Sequence, residues 1–274
     1  MDKDTIEKLI VPYLSKGKRG FRSKVPIFQV VKAIFYRLKT GCQWRELPLK
    51  HFINDVSVSW QNVYYYFNKW CRDGSWRAVW IGLLRSYRNY LDLSSVQLDG
   101  SHTPAKRGGQ AVGYQGRKAS KTSNALFLAD NTGQMLALSE PQQGQHHDLH
   151  EIKKLFTELC GVLKEAAIDS RGIFLNADSG FDSKELRAVC AKEEIQANIK
   201  SNPRNNNKEN GLDEQYFDEE LYKKRTVIEQ ANAWMDSYKA LFIRYETLAR
   251  NWMAMHWMAF SVFFLNRINK KSKV

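Results

Sequence analysis

Three acidic residues occupy settings in which a carboxylate could do chemistry: Asp99, Asp178 and Glu229. Asp99 closes the apolar-alternating run Val96-Gln97-Leu98, just before Gly100. Asp178 closes a second strand-like run, Ile173-Phe174-Leu175-Asn176-Ala177, just before Ser179-Gly180. Glu229 lies in the strongly helical stretch Tyr222 to Phe242. Carboxylates distant in sequence, two at strand ends and one on a helix, suit a shared divalent-metal site. Mg²⁺ prefers hard oxygen ligands and usually takes only a few from protein. The chain has 29 acidic residues, so some fall at strand ends by chance. A basic chain around these three is what gives them weight.

Asp182, four residues after Asp178 and beyond Gly180, is a competing ligand. His146-His147-Asp148, with His150 close by, resembles a metal triplet, but adjacent histidines on a loop do not readily converge on one ion. A supporting role beside the active site, or a DNA contact, suits that segment better. The glycine-rich basic segment from Lys106-Arg107-Gly108-Gly109 to Gly116-Arg117-Lys118 and Lys121 lacks the pattern of a nucleotide P-loop. Following directly on Asp99, it suits a grip on DNA backbone; a plain solvated loop is the other reading. Tyr222, Arg225 and Glu229 are spaced by three and four, which sets them on one helical face. Ile228, Ala231, Met235, Tyr238 and Phe242 form a neighbouring apolar stripe that would pin the helix to a sheet. Arg225 is placed either to pair with Glu229 or to meet a DNA phosphate.

The elements that must hold these residues follow from periodicity. A short amphipathic helix over 5–14, with Thr5 near its start, precedes a basic loop carrying Lys16, Lys18, Arg19, Arg22 and Lys24. Pro26 opens a helix with Ile27, Val30, Val31, Ile34, Phe35 and Leu38 on one face, and Gly41 ends it. Ser57 or Ser59 caps a helix carrying Val63, Tyr64, Phe67 and Trp70; after Gly74 another runs through Trp76–Tyr90. Short helices with tight turns and open basic faces match a helix-turn-helix-like module, with an all-helical interaction domain as the alternative. Trp44, Trp60, Trp70, Trp76 and Trp80 at helical spacing read mostly as core.

Near residue 92 the period becomes strand-like. Ser94–Asp99 is a strand, and Ala125–Ala129 and Gln134–Ser139 form a hairpin about Asp130-Asn131-Thr132-Gly133. His150–Leu163 is a helix, Gly172–Asp178 a strand, Ser183–Lys192 a helix and Ile195–Lys200 a strand. That order predicts a mixed sheet with helices on its faces, within domains 1–92 and 93–274. Ser201–Glu220, polar and Asn-rich, reads as an exposed loop.

Composition narrows the function classes. The net charge of +13 and a pI near 9.5 favour a polyanionic partner. Residues 1–95 hold 17 Lys/Arg against 7 Asp/Glu, net +10, and the remaining 25 against 22 give +3. A basic front half and a balanced rear half predict a binding module joined to a module with another task. Four scattered cysteines without a Cys-x-x-Cys pair argue against zinc or a disulfide framework and fit a reduced cytoplasm. No charged-then-apolar leader opens the chain. The apolar run Trp252–Leu265 is shorter than the ~20 residues needed to cross a bilayer. A soluble protein with a buried core helix is expected, with no membrane partner.

Tyr222-Lys223-Lys224-Arg225-Thr226-Val227-Ile228-Glu229 resembles the Y-x-x-R-x-x-x-E signature of bacterial insertion-sequence transposases of the DDE class. Leu98-Asp99-Gly100-Ser101 and Ala177-Asp178-Ser179-Gly180-Phe181-Asp182-Ser183 resemble that class's two Asp regions. Ala233-Trp234-Met235-Asp236-Ser237-Tyr238-Lys239 and Arg244-Tyr245-Glu246 are similar to the C-terminal segment of the insertion sequence 5 family. The resemblance spans nearly the whole chain. It implies an α/β protein: an N-terminal helical, helix-turn-helix-like module followed by an RNase H-like mixed-sheet catalytic domain. It implies a transposase in which Asp99, Asp178 and Glu229 bind two Mg²⁺ ions, with Mn²⁺ as substitute. Tyr222, Arg225, Lys239, Lys106, Arg107, Arg117, Lys118, Lys16, Lys18 and Arg19 would meet DNA or support the site. The partners would be double-stranded DNA, both element ends and target, and a second copy of the chain in a dimer or higher assembly. The setting would be a bacterial cytoplasm, at the nucleoid when bound. One departure stands out: the fuller signature has a Lys seven residues after the Glu, where this chain has Asp236, and Lys239 is the nearest substitute. Two other readings share these features: a DNA-binding protein of transposase descent without catalysis, and a stand-alone nuclease.

Overall fold

The computed structural model describes residues 1–17, 25–53, 58–202 and 217–271. Lys18, Arg19, Arg22, Lys24, Ser57 and most of the Asn-rich stretch lie outside the described residues. The chain begins with helices α1 (Lys3–Leu9), α2 (Ile27–Thr40), α3 (Leu49–Phe52), α4 (Trp60–Arg72) and α5 (Ser75–Ser86). Helix α1 is capped by Asp2 rather than Thr5: the Asp2 carboxylate accepts the Thr5 N–H at 2.7 Å, which satisfies one of the unpaired donors of the first turn. Helix α2 keeps its expected bounds. It buries Val30, Val31, Ala33, Ile34 and Leu38 on one face and ends at Gly41, whose φ of +69° is the left-handed cap that glycine takes without strain. Ser59 precedes α4 but makes no side-chain cap.

Strands and helices then alternate: β1 (Ser95–Pro104), β2 (Gly113–Gln115), β3 (Ser120–Asp130), β4 (Met135–Leu138), β5 (Gln142–Gln143), α6 (Ile152–Glu165), β6 (Phe174–Ala177), α7 (Lys184–Lys192) and β7 (Gln196–Ile199). The chain closes with α8 (Glu219–Lys223), α9 (Val227–Asp236), α10 (Lys239–Phe242) and α11 (Ala249–Lys271). It forms two compact units: Met1–Ser86 with Pro104–Gln110 and Trp234–Val274, and Tyr87–Thr103 with Ala111–Ala233.

In the first unit α11 is apolar nearly all round, and Trp252, Met258, Ala259 and Phe260 are wholly enclosed. Trp80 of α5 meets Phe260 and Phe264 edge-on at 5.7 and 5.8 Å. Aromatic pairs of this kind add about 0.5–1.5 kcal/mol to the burial itself. Beside them Arg37 and Glu246 form an ion pair at 2.8 Å, each 7% exposed. No helix among the described residues is long and apolar enough to cross a membrane.

The second unit is built on one sheet in the order β2-β3-β1-β6-β7, with β4 and β5 also pairing with β3. Strands β1, β6 and β7 are parallel. Taking β4, β3, β1, β6 and β7 as the five main strands in spatial order, their chain order is 3-2-1-4-5, the mixed sheet of an RNase H-like fold. The expected hairpin is β3–β4. The small strands β2 and β5 were not expected, because three- and two-residue strands carry too little alternation to register.

Two expectations are corrected. Asp99 does not end its strand, for β1 continues to Pro104. Gly100 read as a terminator, whereas a glycine inside a strand also marks close approach of another group, and that is its role here. The stretch Tyr222–Phe242 is not one helix. Lys224–Thr226 is a 3₁₀ turn, α9 stops at Asp236, and Tyr238 is extended before α10 starts at Lys239. Asp and Ser at 236–237 compete with the helix for backbone hydrogen bonds. Ile228, Ala231, Met235 and Tyr238 are buried as the stripe requires, but Phe242 is half exposed.

Candidate metal centre

A buried ladder of amide side chains fixes the sheet beneath the site. Gln97 of β1, Asn176 of β6 and Asn198 of β7 occupy one row of the register and have no exposed surface. Asn176 Nδ2 donates to Gln97 Oε1 at 3.0 Å, and Asn198 Nδ2 donates to Asn176 Oδ1 at 2.8 Å. The same amides hold the start of the last helical stretch. Asn176 Nδ2 donates to Leu221 O at 3.0 Å, Asn198 Nδ2 to Asp218 O at 2.9 Å, and Asp218 N to Asn198 Oδ1 at 2.8 Å. Each of these groups would otherwise be a buried polar atom without a partner.

The register aligns the aspartates. Gln97 pairs with Asn176 in parallel strands, and two residues further along both chains stand Asp99 and Asp178. β1 continues through Asp99, whereas β6 ends at Ala177, so Asp178 stands just beyond the paired strands. Asp178 also caps the 3₁₀ turn Ser179–Phe181 by accepting the Gly180 N–H at 2.7 Å. Burial pushes the Asp99 carboxyl up to about 6; the Gly100 N–H eases this, the negative charges of Asp148 and Asp178 add to it, and Arg225 opposes it. Asn232 of α9 donates to Asp99 Oδ2 at 3.1 Å.

Glu229 lies one turn before Asn232 on α9. Its carboxylate is 60% exposed and takes Arg225 Nη2 at 3.3 Å, the simple i,i+4 pair. Among the described residues no three His, Cys, Asp or Glu side chains converge closely enough to hold a metal ion, so Asp99, Asp178 and Glu229 do not form such a group. Carboxylates are the donors that a hard divalent cation takes, and the negative charge of Asp178 is felt at Asp99.

Asp182 is committed to structure. It accepts Arg187 Nε at 2.8 Å and Asn202 N at 2.8 Å. His146 and His150 stack on each other with centroids 3.7 Å apart. Arg117 and Lys118 form the turn after β2, and their charges lower the pKa of His102, chiefly depressed by burial, while Asp148 raises it. Tyr222 packs its ring on Phe217 at 5.1 Å. In the first unit Lys106 N donates to Arg244 O at 3.1 Å, Arg107 and Lys16 are exposed, and Lys239 Nζ sits over the Phe242 ring at 5.4 Å. Lys239 therefore opens α10 and does not extend the face of α9. Asp236 is exposed, and partial desolvation raises its pKa.

Asn232 is the residue that sequence reasoning missed. It carried a signal in its spacing of three from Glu229.

A model of the transposase DDE domain matches residues 91–264, and the chain belongs to that family of DDE transposases. Residues 4–80 match in addition the model described as a transposase of the IS4/5 family, so the enzyme is of the IS4/5 type. Among solved structures it is similar to the Mos1 strand transfer complex, at 13% identity and a TM-score of 0.30, over 90% of this chain and 81% of that one. The Mos1 paired-end complex with the left transposon end gives 11% identity and the same TM-score and coverage. Likeness at that level carries no argument. No curated protein matches the chain.

Proposed function

We propose that this DDE transposase binds the terminal inverted repeats of its own insertion sequence, cleaves DNA there and joins the freed end to target DNA. The observation that supports the reading is the parallel pairing of Gln97 with Asn176, which brings the segments leading to Asp99 and Asp178 side by side. Asp99, Asp178 and Glu229 would hold Mg²⁺ or Mn²⁺, with Glu229 exchanging Arg225 for the cation. Divalent cations, when bound, activate the attacking oxygen and stabilise the departing one in phosphodiester chemistry. Asn232 orients Asp99 by its hydrogen bond, and the amide ladder keeps the two aspartates in step. Arg225, released from Glu229, is placed to meet a phosphate. Cleavage consumes water and leaves a 3′-OH; that hydroxyl then attacks a target phosphodiester, one bond forming as one breaks.

The helical residues 1–92 would recognise the repeats, and 93–274 would carry the chemistry. The net charge of +13 supports a DNA partner. Lys16, Lys18, Arg19, Lys106, Arg107, Arg117, Lys118 and Lys239 are the cations assigned to it, with Tyr222 in support. Two element ends must be brought together, so a dimer or larger assembly is expected, working in the bacterial cytoplasm.

The test is Mg²⁺-dependent nicking and joining of a labelled duplex bearing the element's own end. Wild type should do both, and Asp99→Ala, Asp178→Ala and Glu229→Ala should do neither while still binding the repeat. Full activity in any one variant removes that residue from the site. Tight binding by wild type without cleavage in Mg²⁺ or Mn²⁺ would favour a catalytically silent DNA-binding protein.

A further inference from the structure

We infer that a groove in the first unit, between the last turns of α2 and α11, seats a phosphate of the DNA backbone. The inference rests on the DNA partner proposed above and adds a contact surface outside the cations already assigned to it.

The groove has a volume of about 430 Å³ and is lined by Lys39 at the end of α2, by Ser237 and Tyr238 ahead of α10, and by the face of α11 from Phe263 to Lys270. Its charge is all of one sign. Lys39, Arg267 and Lys270 line it, and among the described residues no Asp or Glu does. Asp236, next to Ser237, stands outside the lining, and the cation it feels is Lys239. Other exposed cations of this chain meet carboxylates: Lys154 pairs with Glu140, Lys164 with Glu193 and Arg171 with Asp169. In the groove, neutral groups hold them instead. Lys39 Nζ donates to Ser237 Oγ at 3.1 Å and lies 4.9 Å from the centroid of the Tyr238 ring. The Arg267 guanidinium lies 5.7 Å from the centroid of the Phe263 ring, which stacks on Trp234 at 5.2 Å. A hydroxyl or a ring face orients a cation without cancelling its charge, so the positive field stays open to an anion.

Cations near the end of a helix also offset the partial negative charge of its unpaired carbonyls, and Lys39, Arg267 and Lys270 stand near such ends. That task leaves charge over. Each helix end brings about −0.5, so Lys39 and Lys270 alone leave about +1 before Arg267 is counted. The Asn266 and Asn269 amides line the same groove, exposed and with no hydrogen-bond partner among the described residues. Ammonium and amide donors around one opening match the oxygens of a phosphodiester. Lys39, Ser237 and Lys270 are exposed as well. The opening is therefore a surface groove that a passing strand can enter, not the enclosed kind of pocket that small molecules occupy.

The test follows acetylation of lysines in the full chain by mass spectrometry, with and without a duplex bearing the element's own end. Bound DNA should slow acetylation of Lys39 and Lys270 severalfold. The double variant Lys39→Gln, Lys270→Gln should lower the slope of log affinity against log salt by about 0.9, the share of one phosphate. Lys39→Arg with Lys270→Arg should keep the wild-type slope, which ties the effect to charge and not to packing. The inference is overturned if the Gln variant binds with the full slope or the Arg variant fails to keep it. It is equally overturned if both lysines of DNA-bound protein react at the rate of the free protein; in each case the DNA partner stands. Wild type that binds no duplex at any salt concentration removes the partner and the inference together. Should the Gln variant prove unfolded by circular dichroism, the acetylation rates of wild type decide.

Discussion

Replacing Asp99 by Asn should stabilise the metal-free protein at neutral pH, and by an amount that depends on pH in a defined way. In the fold the Asp99 carboxyl is raised from 3.8 to about 6, first by burial and then by Asp148 and Asp178. The folded state therefore binds this proton more tightly than the unfolded chain. Its contribution to stability is fully present below about pH 4 and is lost as pH rises through 6. At about 1.4 kcal/mol per unit, the loss is about 3 kcal/mol. The amide of the Asp99→Asn variant removes that loss but accepts hydrogen bonds less well from Gly100 N–H and Asn232, at a cost of about 1 kcal/mol. Asp99→Asn should then be about 2 kcal/mol more stable than wild type at pH 7 and slightly less stable at pH 4. Wild type alone cannot reveal this, because buried His256 acts in the opposite sense. Its pKa falls to about 4 through burial, so it adds stability that is lost as pH falls from 6.5 toward 4. The difference between variant and wild type cancels His256. Urea unfolding with EDTA at pH 4, 5, 6 and 7, followed by tryptophan fluorescence, measures it. A difference that stays constant from pH 4 to 7 would refute the account of Asp99 as an electrostatically strained carboxylate.

Three further outcomes are expected. Glu246→Ala should destabilise the first unit by about 3–5 kcal/mol in denaturant unfolding, because it strands the buried Arg37 guanidinium; a loss under 1 kcal/mol would count against that pair. Asn176→Ala leaves Gln97 Oε1, Asn198 Nδ2 and Leu221 O short of a partner, and should cost about 3–5 kcal/mol by the same assay. Neutralising Arg117 and Lys118 together should reduce the slope of log affinity against log salt for duplex DNA by about 1.8, at about 0.9 per phosphate contact; an unchanged slope would move the DNA surface elsewhere.

Much of this architecture is legible in the chain because its elements follow simple periods. Pro26 and Gly41 bracket α2, and the β3–β4 hairpin announces itself through Asp130-Asn131-Thr132-Gly133. Asp178 was readable because a strand does stop there. The extent of β1 was not, since Gly100 continues the strand and its reason lies far along the chain in Asp148. The break at Ser237 was equally hidden: the apolar stripe persists through Tyr238, so periodicity alone reports a helix where the chain has already turned. The amide ladder is invisible for another reason. Its value lies in partners on other strands, and no local pattern marks a polar residue as satisfied.

That ladder has an implication for how variants of this enzyme should be interpreted. Gln97, Asn176 and Asn198 carry no charge at any physiological pH, so the frame stays electrically silent whatever the protonation of the carboxylates beside it. It also acts as a vernier: its rungs fix the strands to within one residue, and a slip of one position would turn Asp99 to the opposite face of the sheet. Residues that never meet DNA would then score as indispensable in an activity screen. Silencing by substitution at Asn176 or Asn198 would report lost alignment, whereas silencing at Asp99 or Asp178 in a protein of undiminished stability would report lost chemistry.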